Sequence, residues 1–252
     1  MVKISVVTVC FNAQDTIRQT IESVIGQEDC RMEYLIQDGA SRDETVSIVK
    51  EYQAVYPIKL VSESDNGLYD AMNRAVARAA GEYVIFLNSG DVFCNRKVLN
   101  RIESRLDGDI VIGNVIRLNE KSRVRESYGG KNTIFRLLLS GRMPCHQVMF
   151  SKRALLSELP FDLTYSICAD FDFVVKCTKR KCSMRYVDVD VSEVDCVSGI
   201  SSQRENLWEM RRQDDRSLRE NFPVWYYVIK LPKGIVRGFK RRAERKGPAG
   251  KA

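Results

Sequence analysis

The feature that most restricts the fold of this 252-residue chain is a repeated alternation of short apolar runs and helical stripes across its first 91 residues. Residues 3–11 form a continuous apolar run that reads as a strand. Asp15 follows, placed to cap a helix carrying Ile17, Ile21, Val24 and Ile25. A second strand, Glu33 to Gln37, ends at Asp38, and Ser41 with Glu44 has the spacing of a capping box for a helix with Val46, Val49 and Tyr52. A third strand, Ile58 to Ser62, precedes a helix whose Leu68, Ala71, Met72, Ala75, Val76 and Ala79 form one amphipathic stripe. The fourth, Tyr83 to Leu87 between Gly81 and Gly90, has the unbroken apolar character of a strand covered on both faces. Right-handed crossovers turn such an order into a mostly parallel sheet.

Each of the four strands runs into polar residues: Asn12, Asp38, Asp65 with Asn66, and Asp91. In an open α/β sheet the crevice at the carboxyl ends of the strands holds the ligand. Asp91 is therefore placed to grip a metal or a charged substrate, although the same turn would also suit a plain β-to-α connection. The set has the footprint of a nucleotide site. Neither phosphate cradle is present, since no G-x-G-x-x-G follows the first strand and no G-x-x-x-x-G-K-[ST] occurs. A divalent cation on carboxylates is then the expected neutraliser of a diphosphate.

Composition narrows the class further. A hydrophobic content of 44% with 29% charged residues suits a soluble globular domain, and no apolar run reaches the ~18 residues of a membrane span. The opening run is too short for a secretory leader, which predicts a cytosolic chain. Eight scattered cysteines without a C-x-x-C pair read as reduced core residues, and Cys177 with Cys182 lacks two further ligands for zinc. The net charge of +7 is concentrated at one end. Residues 230–252 hold nine basic side chains against Glu244 alone, which leaves the body near neutral.

Five motifs in order, Val6 to Asn12, Leu35 to Asp43, Asp65 to Asn73, Phe86 to Asp91, and Gln27 after the first helix, resemble family 2 glycosyltransferases of the GT-A fold. The likeness is greatest to bacterial enzymes that build exopolysaccharide or O-antigen repeats, and it covers roughly residues 3 to 200. It implies a Rossmann-like α/β sheet flanked by helices and inverting transfer of a sugar from a nucleotide diphosphate, a UDP-sugar, with Mg²⁺ or Mn²⁺ on the diphosphate. It implies a nucleotide-sugar site formed by Phe11, Asn12, Asp38, Asp65 and Asn73. A carboxylate at Asp38 suits ribose hydroxyls or a base N–H. The metal turn departs from the family's usual Asp-x-Asp-Asp: Asn88-Ser89-Gly90-Asp91 retains one carboxylate, so Asp91 carries the ligand role.

The second half has α+β character, with a strand at Asp109 to Arg117, an apolar helix at Thr133 to Ser140 and a strand at Arg185 to Val191. His146, the one histidine, would be a structural residue by its type alone, and the resemblance places it near the metal or diphosphate. Asp170 and Asp172 lie two apart on a helix start, so they point in different directions. The family's Glu-Asp pattern falls on Ala169-Asp170 and makes Asp170 the catalytic base, with Asp172 in reserve; Asp170 could also cap its helix.

These readings divide the chain into a nucleotide-sugar half over residues 1–117, an acceptor half over 118–202 and a helical, basic segment over 203–252. Aromatic and basic residues interleave from Phe222 onward, as in a segment lying on an anionic membrane face. That suits a polyprenyl-diphosphate-linked acceptor at the inner face of the cell membrane. A solvated tail is the other reading, since Pro223, Pro232 and Gly234 interrupt a helix there. Nucleic acid is not expected as a partner, because the body has no basic face or recognition motif. A nucleotidyltransferase would need a glycine- and arginine-rich loop at residues 10–14, and a non-catalytic binding relative remains the alternative.

Overall fold

A computed structural model describes residues 2–119, 122–129, 143–196, 204–224, 226 and 227. The expected helix over 133–140 and the basic segment beyond residue 227 lie outside the described residues. The fold is built on one sheet of nine strands. β1 (Ile4–Cys10), β2 (Met32–Asp38), β3 (Ile58–Ser62) and β4 (Tyr83–Phe86) pair in parallel in the order β3-β2-β1-β4.

The sheet then continues into the second half of the chain. β8 (Met149–Lys152) inserts antiparallel between β4 and β6 (Ile110–Asn119), and β9 (Met184–Asp195) runs parallel to β6. β5 (Val92–Phe93) closes that edge against β9, and β7 (Ser122–Glu126) folds back on β6 as a hairpin. Most strands therefore share one direction. A single sheet crosses both halves, so residues from each reach the same rim.

Helices α1 (Ile17–Ile25), α2 (Thr45–Gln53), α3 (Leu68–Arg78) and α4 (Val98–Glu103) cover the first half. α5 (Arg153–Glu158), α6 (Ala169–Lys179) and α7 (Leu207–Asn221) belong to the second. α3 turns its stripe onto β1 and β2, burying Ala71, Met72, Ala75 and Val76. Tyr83 to Leu87 are at most 3% exposed, and burial of each such large side chain contributes about 1.5–3 kcal/mol. Gly81 permits this packing. A Cβ there would lie 2.5 Å from the Ser5 nitrogen of β1, closer than side-chain carbons approach backbone.

Two expected helix caps do not form. α1 begins without a side-chain cap from Asp15; the Ala13 carbonyl accepts from the amides of Thr16 and Ile17 at 3.0 and 2.9 Å. The Ser41–Glu44 box is also absent: a capping oxygen must accept from a helix amide, and the Ser41 Oγ accepts from the Asn12 amide at 2.8 Å while donating to Asp38. Asp43 accepts from the Thr45 amide at 3.0 Å instead.

Candidate active site

Strand register sets the first rim. Cys10, Asp38 and Ser62 lie side by side at the ends of β1, β2 and β3. Asp38 is fully buried and directed into its own chain: it accepts from the Ser41 amide at 2.9 Å, the Ser62 hydroxyl at 2.6 Å and the Cys10 thiol at 3.7 Å. Burial, reinforced by Asp38, pushes that thiol well above its ordinary range. What faces outward above these strand ends is Phe11, 62% exposed, with Asp65 against Gly39, where an added Cβ would meet the Asp65 carboxylate at 2.8 Å.

Asn12 adopts a left-handed backbone, φ 48°, and accepts from the Arg42 amide at 2.9 Å. It thus ties the end of β1 to the turn after β2. Asn73 makes a two-way bond with the Phe161 backbone, donating at 2.9 Å and accepting at 2.9 Å. Its amide fastens α3 to the loop that precedes α6.

The second rim lies past β4. The Asp91 amide closes the Asn88-Ser89-Gly90-Asp91 turn on the Asn88 carbonyl at 3.0 Å, with Gly90 at φ 100°. Thr20 of α1 bridges the turn by accepting from the Gly90 amide and donating to the Asp91 carbonyl, both at 2.9 Å. The Asp91 carboxylate, 6% exposed, accepts from the Gln147 side chain at 2.9 Å. Burial pushes its pKa up to about 6, against the opposing effects of the Gln147 hydrogen bond and of His146.

His146 connects this turn to Asp170. Its Nε2 lies 2.9 Å from the Asn88 amide nitrogen, and its Nδ1 lies 2.9 Å from Asp170 Oδ2. An amide nitrogen donates, so Nε2 accepts, and the imidazole proton sits on Nδ1 facing the carboxylate. Asp170 Oδ1 accepts from the Phe171 amide at 2.9 Å and from the Tyr69 hydroxyl at 3.0 Å. Burial, then Asp170, raises the pKa of the Tyr69 phenol, which keeps it a donor.

Asp172 points elsewhere, accepting from the Ser217 hydroxyl of α7 at 2.6 Å and pairing with Lys176 at 2.6 Å. The predicted divergence of the two carboxylates is therefore seen. A cavity of about 360 Å³ opens beside His146, Gln147 and Asp170, with Arg117, Glu126 and Tyr128 of the β6–β7 hairpin on its wall. Asp91 reaches it through Gln147. Phe11, Asn12, Asp38, Asp65 and Asn73 do not line it.

Sequence reasoning did not single out three supporting side chains. Gln147 holds Asp91, Tyr69 holds Asp170, and Gln213 of α7 accepts from the amides of Ile167 and Cys168, both at 3.1 Å, just before α6. Gln147 adjoins His146, which was a usable signal. Tyr69 and Gln213 carry none, because their partners lie 101 and 45 residues away.

Among the described residues no three His, Cys, Asp or Glu side chains are grouped to hold a metal ion. The turn nonetheless offers hard oxygen donors. Asn88 Oδ1 and Gln147 Oε1 are buried without a hydrogen-bond partner, beside the Asp91 carboxylate. Such a set fits Mg²⁺ or Mn²⁺ in a site where substrate oxygens complete the coordination.

The architecture defines a class. It superposes on Staphylococcus aureus TarS 1-349, solved with UDP, with TM-score 0.68 and 19% identity, covering 87% of this chain and 66% of that one. It also superposes on Mycobacterium tuberculosis glucosyl-3-phosphoglycerate synthase, solved with Mn²⁺, UDP and phosphoglyceric acid, with TM-score 0.60 and 18% identity over 87% of this chain and 78% of that one. Both likenesses are likenesses of fold, the GT-A fold of glycosyltransferases.

The sequence gives the narrower assignment. The model of glycosyl transferase family 2 matches residues 5–158. A Mycobacterium bovis PGL/p-HBAD biosynthesis glycosyltransferase is 30% identical over 206 residues, 79% of this chain and 78% of the relative. The chain belongs to glycosyl transferase family 2.

Proposed function

We propose that this protein transfers a sugar, with inversion, from a UDP-sugar to a hydroxyl of a lipid-linked or oligosaccharide acceptor in the synthesis of a cell-surface polysaccharide or glycolipid. One observation carries the reading: Asp170, held by His146 and Tyr69, lines a cavity whose wall residue Gln147 bonds the Asp91 carboxylate of the turn past a central strand. Residues 1–117 would seat the nucleotide sugar, with Phe11 and Asp65 at the outward rim and Asn12, Asp38 and Asn73 fixing the loops around it. Residues 118–202 would receive the acceptor.

Asp170 acts as the base. It takes the proton of the acceptor hydroxyl as that oxygen bonds to the anomeric carbon, while the bond from that carbon to the diphosphate oxygen breaks on the opposite face. The His146 N–H and the Phe171 amide keep the carboxylate aimed, which is preorganisation rather than proton transfer. Asp91 would hold the divalent ion with the unpartnered oxygens of Asn88 and Gln147, and His146 would join it at Nε2 only by giving up its bond from the Asn88 amide. The bound ion supplies positive charge to the departing diphosphate.

The solved structures of this fold support the donor class and the ion, since TarS was solved with UDP and the Mycobacterium tuberculosis synthase with UDP and Mn²⁺. Among the described residues no helix is long and apolar enough to cross a membrane. We place the protein peripherally on the inner membrane face, held by the basic C-terminal segment.

Release of UDP from a panel of UDP-sugars with Mn²⁺, with and without a lipid-diphosphate acceptor, tests the activity. Asp170→Asn should lower transfer by about 10²–10⁴-fold with nucleotide binding retained. Unaltered transfer in that variant removes Asp170 from the base role.

A further inference from the structure

The outer face of α7 has no part in this chemistry. The inner face is accounted for: Gln213 grips the approach to α6, Ser217 bonds Asp172, and Leu218 is buried. On the opposite side Trp208, Arg211, Arg212, Asp215 and Arg219 recur at i, i+3, i+4, i+7 and i+11, which is one helical stripe. Trp208 is 70% exposed, its neighbour Leu207 is 43% exposed, and the Arg212 guanidinium lies 5.6 Å from the Trp208 ring centre. Val224 and Tyr227, just past the helix, are also exposed. Four of the eight exposed large hydrophobic side chains among the described residues thus fall between positions 207 and 227.

We propose that this face of α7 docks on an anionic lipid bilayer, with Leu207 and Trp208 at the interface and Arg211, Arg212 and Arg219 above the lipid phosphates. The inference rests on the peripheral membrane reading and deepens it by assigning the docking to a folded helix. Charge complementarity favours this occupant: on the stripe Arg211 and Arg219 stand against Asp215, with Arg212 paired to Glu209 at 2.7 Å, and the excess charge comes from residues 230–252, nine basic residues against Glu244. A neighbouring indole and leucine suit the apolar side of a headgroup layer, whereas a nucleic-acid backbone would leave them in water. The position also has a consequence for catalysis. Met210 and Asp214 on the inner side of the same helix line the cavity that holds Asp170, so docking of the outer side sets that cavity one helix width from the lipid surface.

The test is co-sedimentation of the full chain with vesicles of phosphatidylcholine alone, and of phosphatidylcholine with phosphatidylglycerol, at physiological salt. The protein should bind the anionic vesicles selectively. Trp208→Ser combined with Arg211→Glu and Arg219→Glu should weaken binding about tenfold or more, as each basic residue near anionic lipid contributes a factor of about five. Its thermal midpoint and its affinity for UDP should be those of the parent. Neutralising Lys240, Arg241 and Arg242 to Gln in a separate variant isolates the tail.

If the tail variant loses binding and the α7 variant keeps it, the inference fails while the membrane reading stands. If the parent binds neither vesicle, both fail and the glycosyltransferase reading is untouched. Binding to a DNA duplex as tight as to the anionic vesicles would also overturn the assignment to lipid.

Discussion

At the scale of single residues, the site works because three carboxylates from similar-looking polar turns are given different surroundings. Asp38 is saturated by its own chain, Asp170 is aimed by an imidazole, and Asp91 is buried against the Gln147 amide and the Asp195 backbone. The raised pKa of Asp91 has a definite sign. The folded state holds the proton more tightly than the unfolded chain, so the contribution of this group to stability is complete below the ordinary value of 3.8 and is lost as pH rises through about 6. Asp91→Asn should therefore make the metal-free protein more stable at neutral pH, by on the order of 1–3 kcal/mol, while abolishing transfer. Thermal melts of parent and variant between pH 4 and pH 8 would check this, with the two curves converging at the acid end. Asp172 gives the opposite expectation. Asp172→Ala should cost about 1–4 kcal/mol, read in urea, by removing the acceptor of Ser217 and leaving Lys176 only its longer contact with Asp162 at 3.5 Å, and the surviving folded protein should still transfer sugar.

At the scale of elements, α7 lies beyond residues 5–158 that the family model matches, yet it braces Asp170, the proposed base. Gln213 satisfies two backbone amides immediately before α6, and the carbonyl of Ile167 in that same stretch accepts from the Tyr69 hydroxyl at 2.5 Å. Tyr69 in turn contacts Asp170. Gln213→Ala leaves the Ile167 and Cys168 amides without their acceptor, which costs about 1–3 kcal/mol. Steady-state kinetics should show a lower kcat with KM for the nucleotide sugar unchanged, since the nucleotide rim at Phe11 and Asp65 shares no bond with this brace. The elements themselves were largely legible in the sequence. β1 to β4 and α1 to α3 fall where the apolar periods put them, because period reports which side of a strand or helix is buried. The caps were not legible: the Ser41 oxygen could accept from its own helix or from a distant amide, and the choice depended on the sheet carrying Asn12, just past β1, to the same corner.

At the scale of the whole molecule, one sheet brings the two halves to a shared rim, and the chemistry needs both. β8 inserts beside β4, which sets the His146–Gln147 turn against the Asn88–Asp91 turn. With a single carboxylate in that turn, the divalent ion should be held weakly and shared with the diphosphate. Chelation with EDTA should then abolish UDP release, and Mn²⁺ should restore it in full without refolding. Tryptophan fluorescence and a melting curve taken on the chelated protein would verify that the fold does not depend on the ion.

The amino-acid order alone determined the strands, the amphipathic helices, the family and the identity of the polar turns, because those depend on local period and on motifs within a few residues. Only the tertiary structure decided which carboxylate does what. The contacts of Asp170 with His146, of Gln147 with Asp91 and of Tyr69 with Asp170 span 24, 56 and 101 residues, and the order of the strands brings them together. Asp38 and Asp170 are alike as letters and differ in which neighbours the sheet delivers to them, and that difference in hydrogen-bonding company separates a structural tie from a candidate base.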